Sequence, residues 1–134
     1  MYSKPGMSSG VLIVSADAGH GETLAAAVRN CQLRPTLCGT LDQAQKILAQ
    51  EQFAAILCEE SPNREDFTAT IARIERLVER TPVIAVSRRD DWDSCMVALN
   101  AGAADYVAFP PYAGELERSL QRASDATRSA AIAA

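Results

Sequence analysis

The sequence predicts an α/β domain: one five-stranded parallel sheet with helices on both faces. Three observations carry this. Apolar runs at residues 11–14, 54–58, 83–86 and 106–109 are short and continuous rather than alternating, as in strands covered on both faces. Stretches of helical period separate them. The length of 134 residues suits one domain with an ordinary core.

Residues 1–9, rich in Ser, Gly and Pro, read as a flexible N-terminal tail. The first strand is Val11-Leu12-Ile13-Val14, followed by a loop, Ser15 to Gly19, and a helix over residues 22–31 with Leu24, Ala27 and Val28 inward. Residues 35–38 form a short edge strand, since Pro35 cannot donate to a ladder. Thr40 or Asp42 caps a second helix with Ala44, Ile47 and Leu48 inward. The third strand is residues 53–58, and an acidic loop from Glu59 to Asp66 follows. A third helix, residues 67–80, places Ile71, Ile74, Leu77 and Val78 at helical spacing.

Residues 81–111 carry the clearest punctuation. Pro82 opens the strand at 83–86, where a missing N–H is tolerated. Ser87 leaves the sheet, and Asp90 or Asp91 caps a helix with Met96, Val97, Leu99 and Ala103 on its apolar side. Gly102 stops that helix. Tyr106-Val107-Ala108-Phe109 is the fifth strand, closed by Pro110 and Pro111. The last helix starts near Gly114 and uses Leu116, Leu120 and Ala123. The domain therefore spans residues 10–124, and residues 125–134 read as a flexible tail or the start of a linker. Right-handed crossovers favour the doubly wound, flavodoxin-like order 2-1-3-4-5.

Composition narrows the function. The apolar fraction is 48%, the charged fraction 22% and the net charge −4, without the basic footprint of a nucleic-acid binder. No apolar run reaches the roughly 18 residues of a bilayer span, and no secretory signal is visible, so a cytoplasmic location is expected. Cys31, Cys38, Cys58 and Cys95 show no C-x-x-C spacing, and His20 is the single histidine, which argues for reduced thiols and against zinc. Gly19-His20-Gly21 falls short of a nucleotide motif, because Leu24 stands where a third glycine would be and no P-loop lysine follows. Those residues read as flexible ones easing a turn into a helix.

In an open α/β sheet the site lies at the carboxyl ends of the strands. Those ends present Ser15, Ala16 and Asp17; Cys58, Glu59 and Glu60; Ser87 and Arg88; and Phe109-Pro110. With PVIAVS, the helix ending AGAADYV and the proline that follows, this arrangement resembles the receiver domain of two-component response regulators (CheY-like). The resemblance covers about residues 10 to 124. It implies a magnesium-holding acidic pair after strand 1, an aspartate acceptor ending strand 3, a hydroxyl after strand 4 and a lysine ending strand 5. Such a site forms an acyl phosphate with help from a hard cation and positive charge.

The chain departs from that pattern. The acidic-pair positions fall on Ser15 and Ala16, with Asp17 the remaining carboxylate. Counting along strand 3 puts the acceptor at Glu59, and counting back from Pro62 puts it at Cys58; the better-defined strand pattern favours Glu59. Ser87 matches the hydroxyl and Tyr106 the aromatic that rotates with activation. Phe109 stands at the lysine position, where it reads as a core residue capping the sheet edge. The chain's two lysines, Lys4 and Lys46, lie elsewhere. Arg88 or Arg89 is the remaining source of positive charge.

The resemblance therefore implies a degenerate, or pseudo-receiver, module rather than an enzyme. It would act by protein contact, with no cofactor and without efficient phosphorylation. Expected partners are signalling proteins, a histidine kinase or an output domain or regulator, with no direct contact to nucleic acid or membrane. A homodimer through helix 4, strand 5 and helix 5 is also implied. Trp92, Tyr112, Arg118 and Arg122 are interface candidates there, or ordinary surface residues. One alternative is a phosphorylatable receiver, with Asp17 and Glu59 holding Mg²⁺ and an acyl phosphate on Glu59. A third reading is a small-molecule or flavin binder at the same edge, which lacks a phosphate-cradling loop.

Overall fold

A computed structural model describes residues 9–61, 67–78 and 80–133. Five strands alternate with five helices: β1 (Gly10–Val14), α1 (Ala18–Asn30), β2 (Arg34–Cys38), α2 (Leu41–Leu48), β3 (Ala55–Glu59), α3 (Phe67–Leu77), β4 (Val83–Ser87), α4 (Trp92–Asn100), β5 (Asp105–Ala108) and α5 (Glu115–Ala133). The sheet is parallel in the order β2-β1-β3-β4-β5, the predicted doubly wound arrangement. Most of the N-terminal tail and most of the acidic loop, including Pro62, lie outside the described residues.

Side-chain alternation splits the core into layers. Val11 and Ile13 of β1, Ala55 and Leu57 of β3, and Ile84 and Val86 of β4 face α1 and α5 with Leu24, Val28, Leu116 and Leu120. Leu12, Val14, Ile56 and Cys58 turn the other way, with Ala44 of α2 and Ile74 of α3. Ala85 packs with Ile71 and Ala98. Register aligns the strand ends: Val14 lies beside both Cys38 and Cys58, Glu59 beside Val86, and Ser87 beside Ala108.

Four expectations change. α1 begins at Ala18, ahead of Glu22, because Asp17 caps it by accepting the His20 amide at 2.9 Å. Gly19-His20-Gly21 is therefore the first turn of a helix rather than a flexible loop. Leu77, Val97 and Leu99 are exposed, and Ala98 is the buried residue of α4. The helix turns Ala98 to the core, keeps Met96 half-buried and leaves Trp92, Val97 and Leu99 exposed. The segment 125–133, expected to be loose, continues α5. Its alanines favour helix, and the Thr127 hydroxyl donates to the Ala54 carbonyl at 2.8 Å.

The edge strand β5 is tied to α5 through Asp105. Its carboxylate accepts from the Ser119 hydroxyl at 2.7 Å and from Arg122 Nη2 at 2.7 Å. Burial pushes this acid upward, but the hydrogen bonds from Ser119, the Tyr106 amide and Arg122 outweigh it and hold it below its ordinary 3.8. A lowered folded value means that the ionised form stabilises the fold. The stability gap between wild type and Asp105→Asn should be full at neutral pH and shrink as pH falls through 3.8 and below. Urea denaturation across pH 3 to 7, on the order of the carboxylate range, reads it; a gap unchanged at the acid end would contradict the assignment.

Candidate functional site

Alternation in β1 and β3 continues past the last core residues and sets the site. Ser15 follows Val11 and Ile13, and Glu59 follows Ala55 and Leu57, so both emerge on the α1/α5 side. There the Ser15 hydroxyl donates to Glu59 Oε1 at 2.6 Å. His20 arrives from the first turn of α1, and its Nδ1 lies 2.5 Å from Glu59 Oε2. Both carboxylate oxygens are thus engaged, in a place where the Glu59 side chain is 6% exposed. The His20 ring stacks on Phe109, centroids 4.0 Å apart and planes inclined by 26°. Arg88 Nη2 lies 3.3 Å from His20 Nε2. A guanidinium has no acceptor, so Nε2 accepts, and Nδ1 carries the proton donated to Glu59. A relay results: Arg88 to His20 to Glu59, with Ser15 completing the carboxylate's partners.

The next acid faces the other way. The Ser87 hydroxyl donates to Glu60 Oε1 at 2.6 Å and accepts from the Arg89 amide at 3.1 Å. The Tyr106 hydroxyl donates to the Arg89 carbonyl. Burial pushes the Tyr106 phenol up. These groups line a cleft of about 600 Å³ whose walls also include Ala16, Asp17, Phe67 and Val97.

The structure brings Ser15, Glu59, Ser87, Tyr106 and Phe109 to one sheet edge, with Ala16 and Asp17 at its rim. Cys58 is not among them. It lies in the opposite core layer, and burial above all pushes its thiol up to about 12. Glu59 is therefore the β3 residue that reaches the edge. Asp17 is committed to capping α1, and the His20 amide chiefly holds its carboxyl below the ordinary range. A magnesium ion does not fit this donor set: Asp17 aims at the helix end, and an imidazole fills the space against Glu59. Among the described residues no group of three or more His, Cys, Asp or Glu is placed to hold a metal ion.

Trp92 and Tyr112 stand well out in solvent, 74% and 68% exposed. Arg122 is engaged by Asp105, and Arg118 lies over Gly114. His20 is the residue that sequence reasoning missed. Its available signal was Asp17 three residues earlier, an N-cap that puts position 20 in the first helical turn.

No protein-family model matches the chain. The chain is similar to the transcriptional regulatory protein ZraR of Escherichia coli (strain K12), 27% identical over 119 residues, which are 89% of this chain and 27% of ZraR. It thus spans about a quarter of the length of the curated relatives it matches. Among solved structures it resembles the beryllofluoride-activated NtrC4 receiver domain dimer, with TM-score 0.79, 19% identity and coverage of 89% and 98% of the two chains. The CheY-like receiver domain protein of Methanospirillum hungatei JF-1 follows at 0.77, 19%, 90% and 97%. A pilus assembly-related protein of Burkholderia pseudomallei K96243 matches at 0.76, 22%, 94% and 96%. The fold is that of response-regulator receiver domains.

Two outcomes test the site. His20→Ala strips a buried carboxylate of one partner and should cost about 1–3 kcal/mol in urea denaturation. Adding Glu59→Gln should recover part of that loss, because the unpaired charge goes too; additive costs would show that the pair is uncoupled. Alkylation of the folded protein near neutral pH should modify Cys58 last of the four cysteines. Early labelling of Cys58, read by peptide mass, would contradict its buried, protonated placement.

Proposed function

We propose that this chain is a receiver-type signalling module that works by protein contact, its state set by its own side chains and not by a phosphoryl group on the β3 carboxylate. The observation that carries this is the double engagement of Glu59 by Ser15 and His20. In a receiver the acceptor carboxylate must be open to attack on phosphorus, beside a hard cation. Here one oxygen accepts a hydroxyl, the other accepts an imidazole, and positive charge reaches the group through Arg88. Ser87, the hydroxyl that would turn toward a phosphoryl group, is already committed to Glu60. Phe109 supplies a stacking face for His20 where an ammonium is expected. No cofactor and no catalytic turnover belong to this reading.

The proposed contact surface is α4, β5 and α5. Trp92, Val97 and Tyr112 leave large apolar area in solvent there. The NtrC4 neighbour is a receiver domain dimer, which supports a homodimer as one state of this chain. A histidine kinase, an output domain or another regulator is the other class of partner. Among the described residues no helix is long and apolar enough to cross a membrane. A cytoplasmic location belongs to the proposed reading as a module of two-component signalling.

Trp92 stands at the start of α4, next to the loop leaving β4, so its fluorescence reports the site. Titration with Mg²⁺, then beryllofluoride or acetyl phosphate, should give no saturable change and no hydroxylamine-sensitive phosphate on the protein. A millimolar-range Mg²⁺ response with an acyl phosphate on Glu59 would replace this reading with that of a phosphorylatable receiver. Absorbance of the purified protein above 350 nm, roughly the flavin region, would favour a small-molecule binder.

A further inference from the structure

His20 is held as a nucleophile is held. Glu59 Oε2 accepts the hydrogen bond of His20 Nδ1–H at 2.5 Å, Phe109 stacks on the ring, and the ring is one wall of the 600 Å³ cleft. Orientation by a carboxylate on one nitrogen leaves the lone pair of the other as the reactive site. That nitrogen, Nε2, meets the exposed Arg88 guanidinium at 3.3 Å. Arg88 sits on the loop that follows β4 and has solvent around it, so it can leave Nε2 and pair with an anion arriving there. Asp17 Oδ2, 3.9 Å from Nε2, is the like charge at the entrance, and Arg88 also acts on it.

We propose that His20 Nε2 is a phosphoryl-accepting site, taking the group from a donor of the phosphoramidate class, which includes a phosphorylated imidazole on a partner protein. This deepens the reading above and rests on it: Glu59 is the partner of the acceptor rather than the acceptor. In the step, the Nε2 lone pair forms an N–P bond. The donor's P–N bond breaks, and its electron pair leaves with the donor nitrogen, which takes a proton from solvent. The ring keeps its Nδ1 proton and becomes cationic, and the Glu59 carboxylate in contact with it offsets that charge. Arg88 pairs with the phosphoryl oxygens. A buried glutamate in place of the usual open acceptor is then a requirement of the chemistry.

The chain has one histidine, so any phosphohistidine on it is at position 20. The experiment incubates the intact chain with potassium phosphoramidate, folded and in urea, and follows phosphate mass with time. The expected product is acid-labile and alkali-stable, and absent from His20→Asn. It should form about tenfold or more faster on the folded chain than on the unfolded one, and more slowly on Glu59→Gln and Arg88→Gln. Because Arg88 is exposed, Arg88→Gln keeps the test valid should a buried variant fail to fold. No phosphate, or equal rates folded and unfolded, would overturn the proposal and leave the contact-module reading intact. A hydroxylamine-sensitive phosphate on Glu59 would overturn both.

Discussion

A carboxylate at the end of a buried parallel strand has to be neutralised, and the site is built around how that is done. Glu59 closes β3, with strands on both sides and little water. Leaving such a charge unpaired would cost several kcal/mol in a low-dielectric setting. In receiver domains a metal ion and a lysine carry this burden. Here a hydroxyl from the end of β1 and an imidazole from the first turn of α1 take it up, and a guanidinium backs the imidazole from the solvent side.

The rest follows from that substitution. With an imidazole as partner, the β5 end need not present an ammonium, and a flat apolar ring serves better there; Phe109 supplies it. Asp17 caps α1, and the same cap brings His20 into place. Glu60 and Ser87 form a second acid–hydroxyl pair on the α3/α4 side, joined through the Arg89 backbone to Tyr106. Two acids adjacent in sequence thus serve opposite faces, because strand alternation separates them. The β4–α4 loop is the element both share: Arg88 touches the first pair and Arg89 the second.

Relatives of low identity share the whole fold. The sheet order, crossovers and core layers depend on apolar pattern and length, which tolerate wide substitution. The edge depends on which side chain stands at each strand end, and here those side chains are Ser15, Glu59, Ser87 and Phe109. α4 shows the same division. Its place in the fold is set by Asp91, Ala98 and Gly102, while Trp92 and Val97 stand in solvent.

Much of this was legible in the sequence by itself. Buried strands announce themselves as short apolar runs, helices by their period and caps, and the doubly wound order by alternation and length. The hydroxyl at Ser87 and the ring at Phe109 were visible as strand-end residues because they sit at fixed offsets from the apolar runs. Those features are local, spanning a turn or a strand, and local pattern records them. What only the tertiary structure decided is the pairing. Glu59 over Cys58 followed from the alternation of β3 against two different core layers. The contact of His20 with Glu59 followed from α1 packing on β1, the strand next to β3, which joins positions 39 residues apart. Arg88, 68 residues from His20, joins them by the same packing. A lone histidine between two glycines carries no period and no spacing that names its partner. It acquires one only when the sheet brings a carboxylate to its ring.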